Sequence, residues 1–196
     1  MKNKKNGIVR RSTIILGVVL LVTALGVLLV WQGGIHTSKK RAEEYVDIIN
    51  STIPEGSGAV PTARRDNTMA TLSVDGNDFI GILEMPKYGS VLPVGGQWGS
   101  VSKYPCLYDG NIYERTIKIG ATTQKGQYDF FREISVGDSL LFTDMEGNLY
   151  SYSVADILYS KDAHSSTLNQ KDAELTLFIK NLYAFEYIVV FCDVSD

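Results

Sequence analysis

The sequence predicts a mainly β domain, closed or nearly closed into a barrel, with short helices and one N-terminal transmembrane helix before it. Three observations predict it. From Phe79 on, short apolar runs recur between Gly, Pro, Asn and Asp, as short strands joined by turns require. Only Tyr128 to Ile134 interrupts them with one or two helical turns, so the strands do not alternate with helices as a βαβ sheet demands. Ahead of them, Ile14 to Trp31 is apolar apart from Thr23. A run of that length spans a hydrocarbon core of ~30 Å at ~1.5 Å per residue.

The anchor has flanks that orient it. Residues 1–11 carry Lys2, Lys4, Lys5, Arg10 and Arg11 and no acid. By the positive-inside rule this basic tip stays in the cytoplasm. The anchor occupies 12–31, and Trp31 sits at its outer end, where an indole favours the interface. A cleaved signal peptide has a shorter apolar region, ~7–15 residues, ending in a small-x-small site. Val30-Trp31-Gln32-Gly33-Gly34 is a poor site of that kind. The expected topology is a single pass with the remainder outside the cell.

Residues 32–77 are expected to hold a juxtamembrane helix and a flexible stalk. Ser38 can cap a helix running to Ile53, in which Ala42, Tyr45, Val46 and Ile49 recur at helical spacing. Pro54 ends it. Glu55 to Asn77 mixes Gly, Pro, Ser and charge with little apolar material, too little to fold alone. The external domain is expected over 78–196. Its strand candidates are Phe79 to Met85, Leu92 to Val94, Pro105 to Tyr108 and Thr116 to Ile119, then Ser139 to Thr143, Leu149 to Leu158, Leu175 to Ile179 and Tyr187 to Cys192. Gly147 falls where the hairpin between Ser139 and Leu158 needs it.

The net charge of −3 gives no reason to expect a nucleic-acid partner. From Asp78 on there are nine basic against sixteen acidic residues. Two cysteines, Cys106 and Cys192, are too few for a disulfide framework, and their spacing fits no metal motif. They read as small buried side chains on neighbouring strands, with a single bridge left open. No metal or cofactor is expected.

Several segments in order carry a family likeness. Phe79-Ile80-Gly81-Ile82-Leu83-Glu84-Met85-Pro86 resembles the opening strand of sortases, the membrane-anchored cysteine transpeptidases of Gram-positive cell surfaces. Leu92-Pro93-Val94 resembles the piece that follows. Val136-Gly137-Asp138, Phe142-Thr143-Asp144 and Gly147 to Tyr152 resemble the family's Gly-Asp and Tyr-x-Tyr hairpin. Leu175-Thr176-Leu177-Phe178-Ile179-Lys180 resembles the strand reading Thr-Leu-x-Thr-Cys that ends in the nucleophile. The resemblance implies an eight-stranded barrel with a substrate groove on one face.

The resemblance also implies three working side chains. A cysteine thiolate attacks the Thr–Gly carbonyl of a sorting signal. A histidine protonates the leaving amine, and an arginine holds the oxyanion or the peptide. Here Lys180 stands at the cysteine. Thr122 stands at the histidine, or Ala121 if the preceding glycine sets the register. Tyr187 stands where the arginine opens the last strand. All three groups are replaced while the frame between them is kept, the pattern of a pseudoenzyme.

Three readings follow. The first is a membrane-anchored binding module at the cell wall without transpeptidase activity. Its groove would involve His164, Tyr183 and Phe185, and its ligand would be a peptide or surface protein, a true sortase or that enzyme's substrate. The second is an enzyme with a rearranged site using His164 and a cysteine. The third is a structural spacer in the envelope, with its groove filled by side chains.

Overall fold

The structure, a computed structural model, describes residues 2–54, 68–99, 101, 103–122, 129–181 and 184–195, with backbone alone at 2–15, 30–39 and 129. It comprises two compact units, residues 1–38 and 39–196. The first is helical throughout its described residues, as the first part of α1 (Lys2–Thr52). Its described side chains at 16–29 are all exposed, Leu16, Leu21, Leu25 and Leu29 among them. Among the described residues no helix is long and apolar enough to cross a membrane.

The helix does not start afresh at Ser38, because α1 continues through that position. Nucleating a new helix costs more than extending an existing one, so Gly33-Gly34 interrupts nothing. The expected apolar spacing does hold in the second unit. Val46 and Ile49 bury themselves against Phe79, Ile82, Tyr104 and Cys106, and each such side chain contributes ~1.5–3 kcal/mol. Residues 55–67 of the expected stalk lie outside the described residues. Its last part is structured: Leu72–Val74 forms strand β1, and Asp75-Gly76 turns it into β2 (Asn77–Met85). Both turn residues have positive φ, 50° and 73°, a conformation Asp and Gly tolerate.

The remaining strands are β3 (Ser90–Gly95), β4 (Cys106–Asp109), β5 (Ile117–Thr122), β6 (Ser139–Asp144), β7 (Leu149–Ser160), β8 (Leu175–Asn181) and β9 (Glu186–Val194). Each expected strand is present within a few residues. Three-residue 3-10 turns at Pro86–Tyr88 and Ile112–Glu114, and the short helix α2 (Ser165–Leu168), are additions. The expected helical interruption is a 3-10 turn at Asp129–Arg132. Strand order is β1-β2-β3-β4-β5-β8-β9-β7-β6, and β6 pairs back on β2. Strands β2 to β9 therefore form a closed eight-stranded barrel with β1 added beside β2, and closure removes the exposed edges of an open sheet.

The seam depends on Gly81. It pairs with Asp144, and a Cβ there would stand 2.3 Å from the Thr143 carbonyl oxygen and 2.6 Å from the Phe142 ring. Inside the barrel, Leu83, Ile119, Phe142, Leu177, Ile179 and Val190 belong to one buried cluster. The two cysteines are buried and unbridged. They are not on neighbouring strands, since β5 and β8 lie between β4 and β9.

The Gly-Asp pair before β6 has a mechanical role. Gly137 takes φ +90° and donates its N–H to the Val154 carbonyl at 2.8 Å. Asp138 accepts from Lys87 Nζ at 2.8 Å, the Tyr88 hydroxyl at 2.7 Å and the Ser135 N–H at 2.9 Å, so it ties the turn after β2 to the entry of β6. Partial burial pulls its carboxyl upward. The hydrogen bonds from Lys87, Tyr88 and Ser135 outweigh that and hold it below the usual carboxylate range. A carboxyl depressed by folding contributes stability that is complete above its unfolded value of ~3.9 and is lost as pH falls through the lower folded value. Asp138→Asn is therefore expected to lower stability at pH 7 by about 1 kcal/mol. In denaturant titrations the difference from wild type should begin to shrink near pH ~4 and close below it.

Candidate functional site

Strand β5 runs parallel to β8, with Ala121 opposite Ile179 and Thr122 opposite Lys180. Strand β9 runs antiparallel on the other side of β8, with Tyr187 opposite Lys180 and Ile188 opposite Ile179. Residues opposite one another share a face, and faces alternate along a strand. Ala121, Ile179 and Ile188 fill the core, whereas Thr122, Lys180 and Tyr187 form one row on the outer face. Of the two residues left open at the histidine position, Thr122 shares this row and Ala121 belongs to the barrel interior.

The row is polar but holds no nucleophile of the thiol kind. Lys180 is exposed, with its ammonium 5.9 Å from the centroid of the Tyr187 ring, a distance at which the ring quadrupole attracts a cation. The Thr122 hydroxyl oxygen is buried and meets no hydrogen-bond partner among the described residues. Such a group normally has a partner, and an orphan carries a desolvation cost of ~1–3 kcal/mol.

The other expected groove residues are His164, Phe185 and Tyr183. His164 lies before α2 with its Nδ1 3.2 Å from an Asp162 carboxylate oxygen, and its side chain is largely exposed. Phe185 is 85% exposed at the turn between β8 and β9, with φ +54°. Tyr183 lies outside the described residues. Neither cysteine belongs to the row. Cys192 is wholly inaccessible on β9, and burial pushes its thiol well above the ordinary range. Cys106 is wholly inaccessible as well.

Sequence reasoning missed an aromatic group beside the row. Trp98, in the loop after β3, stacks on Phe178 with centroids 5.6 Å apart and meets Tyr108 edge-on at 5.1 Å. Tyr108 also meets Phe178 edge-on at 5.1 Å. All this rests on Gly120, where a Cβ would stand 2.4 Å from the indole and 2.6 Å from the Phe178 ring. Gly120 and Phe178 are paired across β5 and β8, two residues before Thr122 and Lys180. A glycine inside a strand marks a close approach by another group, so Gly120 was the available signal.

The architecture matches solved sortase structures. A sortase D5 transpeptidase from Clostridium perfringens superposes with a TM-score of 0.54 at 14% identity, covering 81% of this chain and 98% of that one. The structure of Clostridium perfringens sortase C with the C-terminal cell wall sorting motif gives 0.51 at 17% identity, covering 83% and 90%. The pilus-related sortase C of Group B Streptococcus gives 0.50 at 16%, covering 82% and 91%. The chain has a sortase-like fold. No family model and no curated protein matches the chain. In this sortase-like barrel the outward row of Thr122, Lys180 and Tyr187 occupies the ends of β5 and β8 and the start of β9.

Buried thiols are inert toward alkylation, because the reagent cannot reach them and burial disfavours the reactive thiolate. A maleimide or disulfide reagent is expected to label neither Cys106 nor Cys192 in the folded chain and both in denaturant. Rapid labelling of a native thiol by intact-mass measurement would show that one of them is accessible and reactive.

Proposed function

We propose that this chain is a sortase-family protein of the bacterial surface that binds a peptide or a surface protein and carries out no transpeptidation. The observation that carries this reading is the row itself. The sortase resemblance assigns cysteine, histidine and arginine to three positions, and the residues there are Lys180, Thr122 and Tyr187, side by side on one outer face. A lysine amine at the nucleophile position would form a stable amide and would not turn over. Threonine lacks an imidazole's acid–base range near neutral pH. The fold neighbour solved with the C-terminal cell wall sorting motif supports a peptide as the ligand class, with a true sortase or its substrate as the protein that presents it. Burial of both cysteines weighs against an enzyme with a rearranged thiol site.

The reading includes membrane attachment through residues 12–31, with the basic tip inside and the barrel outside. Its support is the all-round exposure of apolar side chains over 16–29 of α1. A helix that is apolar on every face needs a cover of protein or lipid. A spacer role in the envelope is the second reading. What favours it is Trp98, which fills part of the outer face beside the row.

Two measurements test these readings. Protease added to intact protoplasts is expected to remove the barrel and leave the basic tip protected; full protection of 78–196 would reverse the topology. The full chain in detergent, incubated with a peptide carrying a sorting motif, is expected to yield neither cleaved peptide nor a thioester by mass spectrometry. Binding should appear as raised fluorescence anisotropy of the labelled peptide, weakened by Lys180→Glu. Turnover lost on Cys106→Ala or Cys192→Ala would falsify the non-enzymatic reading, and absence of any peptide binding would favour the spacer.

A further inference from the structure

The aromatic group beside the row stands where a ligand side chain would lie. Gly120 and Phe178 are paired across β5 and β8 and come two residues, about 7 Å along a strand, before Thr122 and Lys180 on the same outer face. Trp98 rests on both. We propose that Trp98 is a specificity-determining residue: it fills, with its own ring, a seat for an aromatic side chain of a peptide ligand, and so confines that ligand to Lys180 and Tyr187 at the strand ends. The assignment presupposes the peptide-binding role and adds which residue limits it.

The seat has the shape of a ring site. Its floor is Gly120, where a Cβ would stand 2.4 Å from the indole. Phe178 offers a stacking face, with the indole tilted 28° to it at 5.6 Å. Tyr108 offers an edge, at 75° to the indole and 81° to the Phe178 ring. Offset stacking and edge-to-face contact are the arrangements that aromatic pairs favour. A ligand ring in place of the indole would meet the same three partners, and this selects the class of side chain.

Trp98 is a cover at this point, not a core residue. It is 48% exposed, while Phe178 beneath it is 4% exposed. Phe178 is held from other sides as well, since it packs with Leu168, Val189 and Phe191. Loss of the indole would therefore uncover the Phe178 ring without removing its support.

The approach to Trp98 is pinned to two strands' surroundings. The Gly95 N–H donates to the Pro105 carbonyl at 2.8 Å and the Gly96 N–H to the Asp78 carbonyl at 2.7 Å. Gln97 Nε2 donates to the Asp78 carboxylate at 3.3 Å. These bonds fix the point from which the indole reaches its seat, so little ordering cost is left. A tethered occupant also competes at a high effective concentration, which a single ligand side chain does not overcome.

The test measures fluorescence anisotropy of three labelled peptides with the full chain in detergent. The parent is Ala-Ala-Thr-Gly-Ala-Ala, and the other two carry Phe at the first or the last position, two residues from the Thr-Gly pair on either side. The wild-type chain is expected to bind all three within about twofold. Trp98→Ala should bind at least one Phe peptide about tenfold more tightly than the parent. Trp98→Phe, which keeps a ring in the seat, should bring that ratio back near one, and Trp98→Leu should give an intermediate value. A cover that served stability alone would lower the melting temperature of Trp98→Ala and leave the ratio at one, which overturns the proposal. Equal preference for Phe in the wild-type chain overturns it as well. Absence of binding by every peptide to every form of the chain removes the peptide-binding role and this assignment with it. Binding of the parent with no gain for Phe in either Trp98→Ala or Trp98→Leu removes this assignment alone.

Discussion

The pairing of β5 with β8, and of β8 with β9, is the constraint on which the rest of this molecule depends. It sets which residues face the barrel core and which face out, along three adjacent strands at once. A slip of one residue in either pairing would exchange the two sets. Lys180 would then enter the core, and Ile179 would be placed against solvent. Burying an unpaired ammonium costs far more than any single apolar contact returns. The pattern of Leu175, Leu177 and Ile179 inward, continued by Ile188, Val190 and Cys192 on β9, therefore locks the register. The row of Thr122, Lys180 and Tyr187 is the outward consequence of that inward fit.

The same register provides the seat for Trp98. Gly120 faces outward because Ile119 and Ala121 face inward, and Phe178 lies opposite it. A side chain at 120 would lift the indole off the sheet. The identity of residue 120 thus connects strand packing to loop position, and loop position to the aromatic cover beside the row. The core, the row and the cover are three results of one pairing pattern.

What was legible in the sequence follows from the same physics. β8 and β9 carry apolar residues on both faces, because the core lies on one side and Leu168, Phe178, Val189 and Phe191 pack together on the other. Such runs are easy to read as strands. β1 was missed because Leu72–Val74 is three residues long inside a polar stretch, and its strand character comes from pairing with β2, not from its own composition. The false helix start at Ser38 came from reading a good capping residue as a boundary, when the preceding turns were already helical. Which of Ala121 and Thr122 shares a face with Lys180 was not decidable along the chain. It depends on which residue of β5 lies opposite Lys180, a relation between segments far apart in sequence. Trp98 was invisible for a similar reason, since a loop residue acquires meaning only from the surface it lands on.

Exposure along the outer side of β8 bears on how any ligand reaches the row. Thr176 is 2% exposed and Phe178 4% exposed, while Lys180 is exposed. The strand is thus covered over its first part and opens only at its end. Leu168 of α2 contributes to the cover on the β9 side, and Trp98 covers the β5 side at Gly120. A peptide lying along the whole outer face of β8 would have to displace both, giving up a buried apolar cluster and an aromatic stack. A peptide that meets the strand only at its open end displaces neither and finds Lys180 and Tyr187 together. In the proposed binding role the ligand therefore engages this face at the strand end. The affinity available there is set by a few polar contacts and one aromatic ring, not by a long groove.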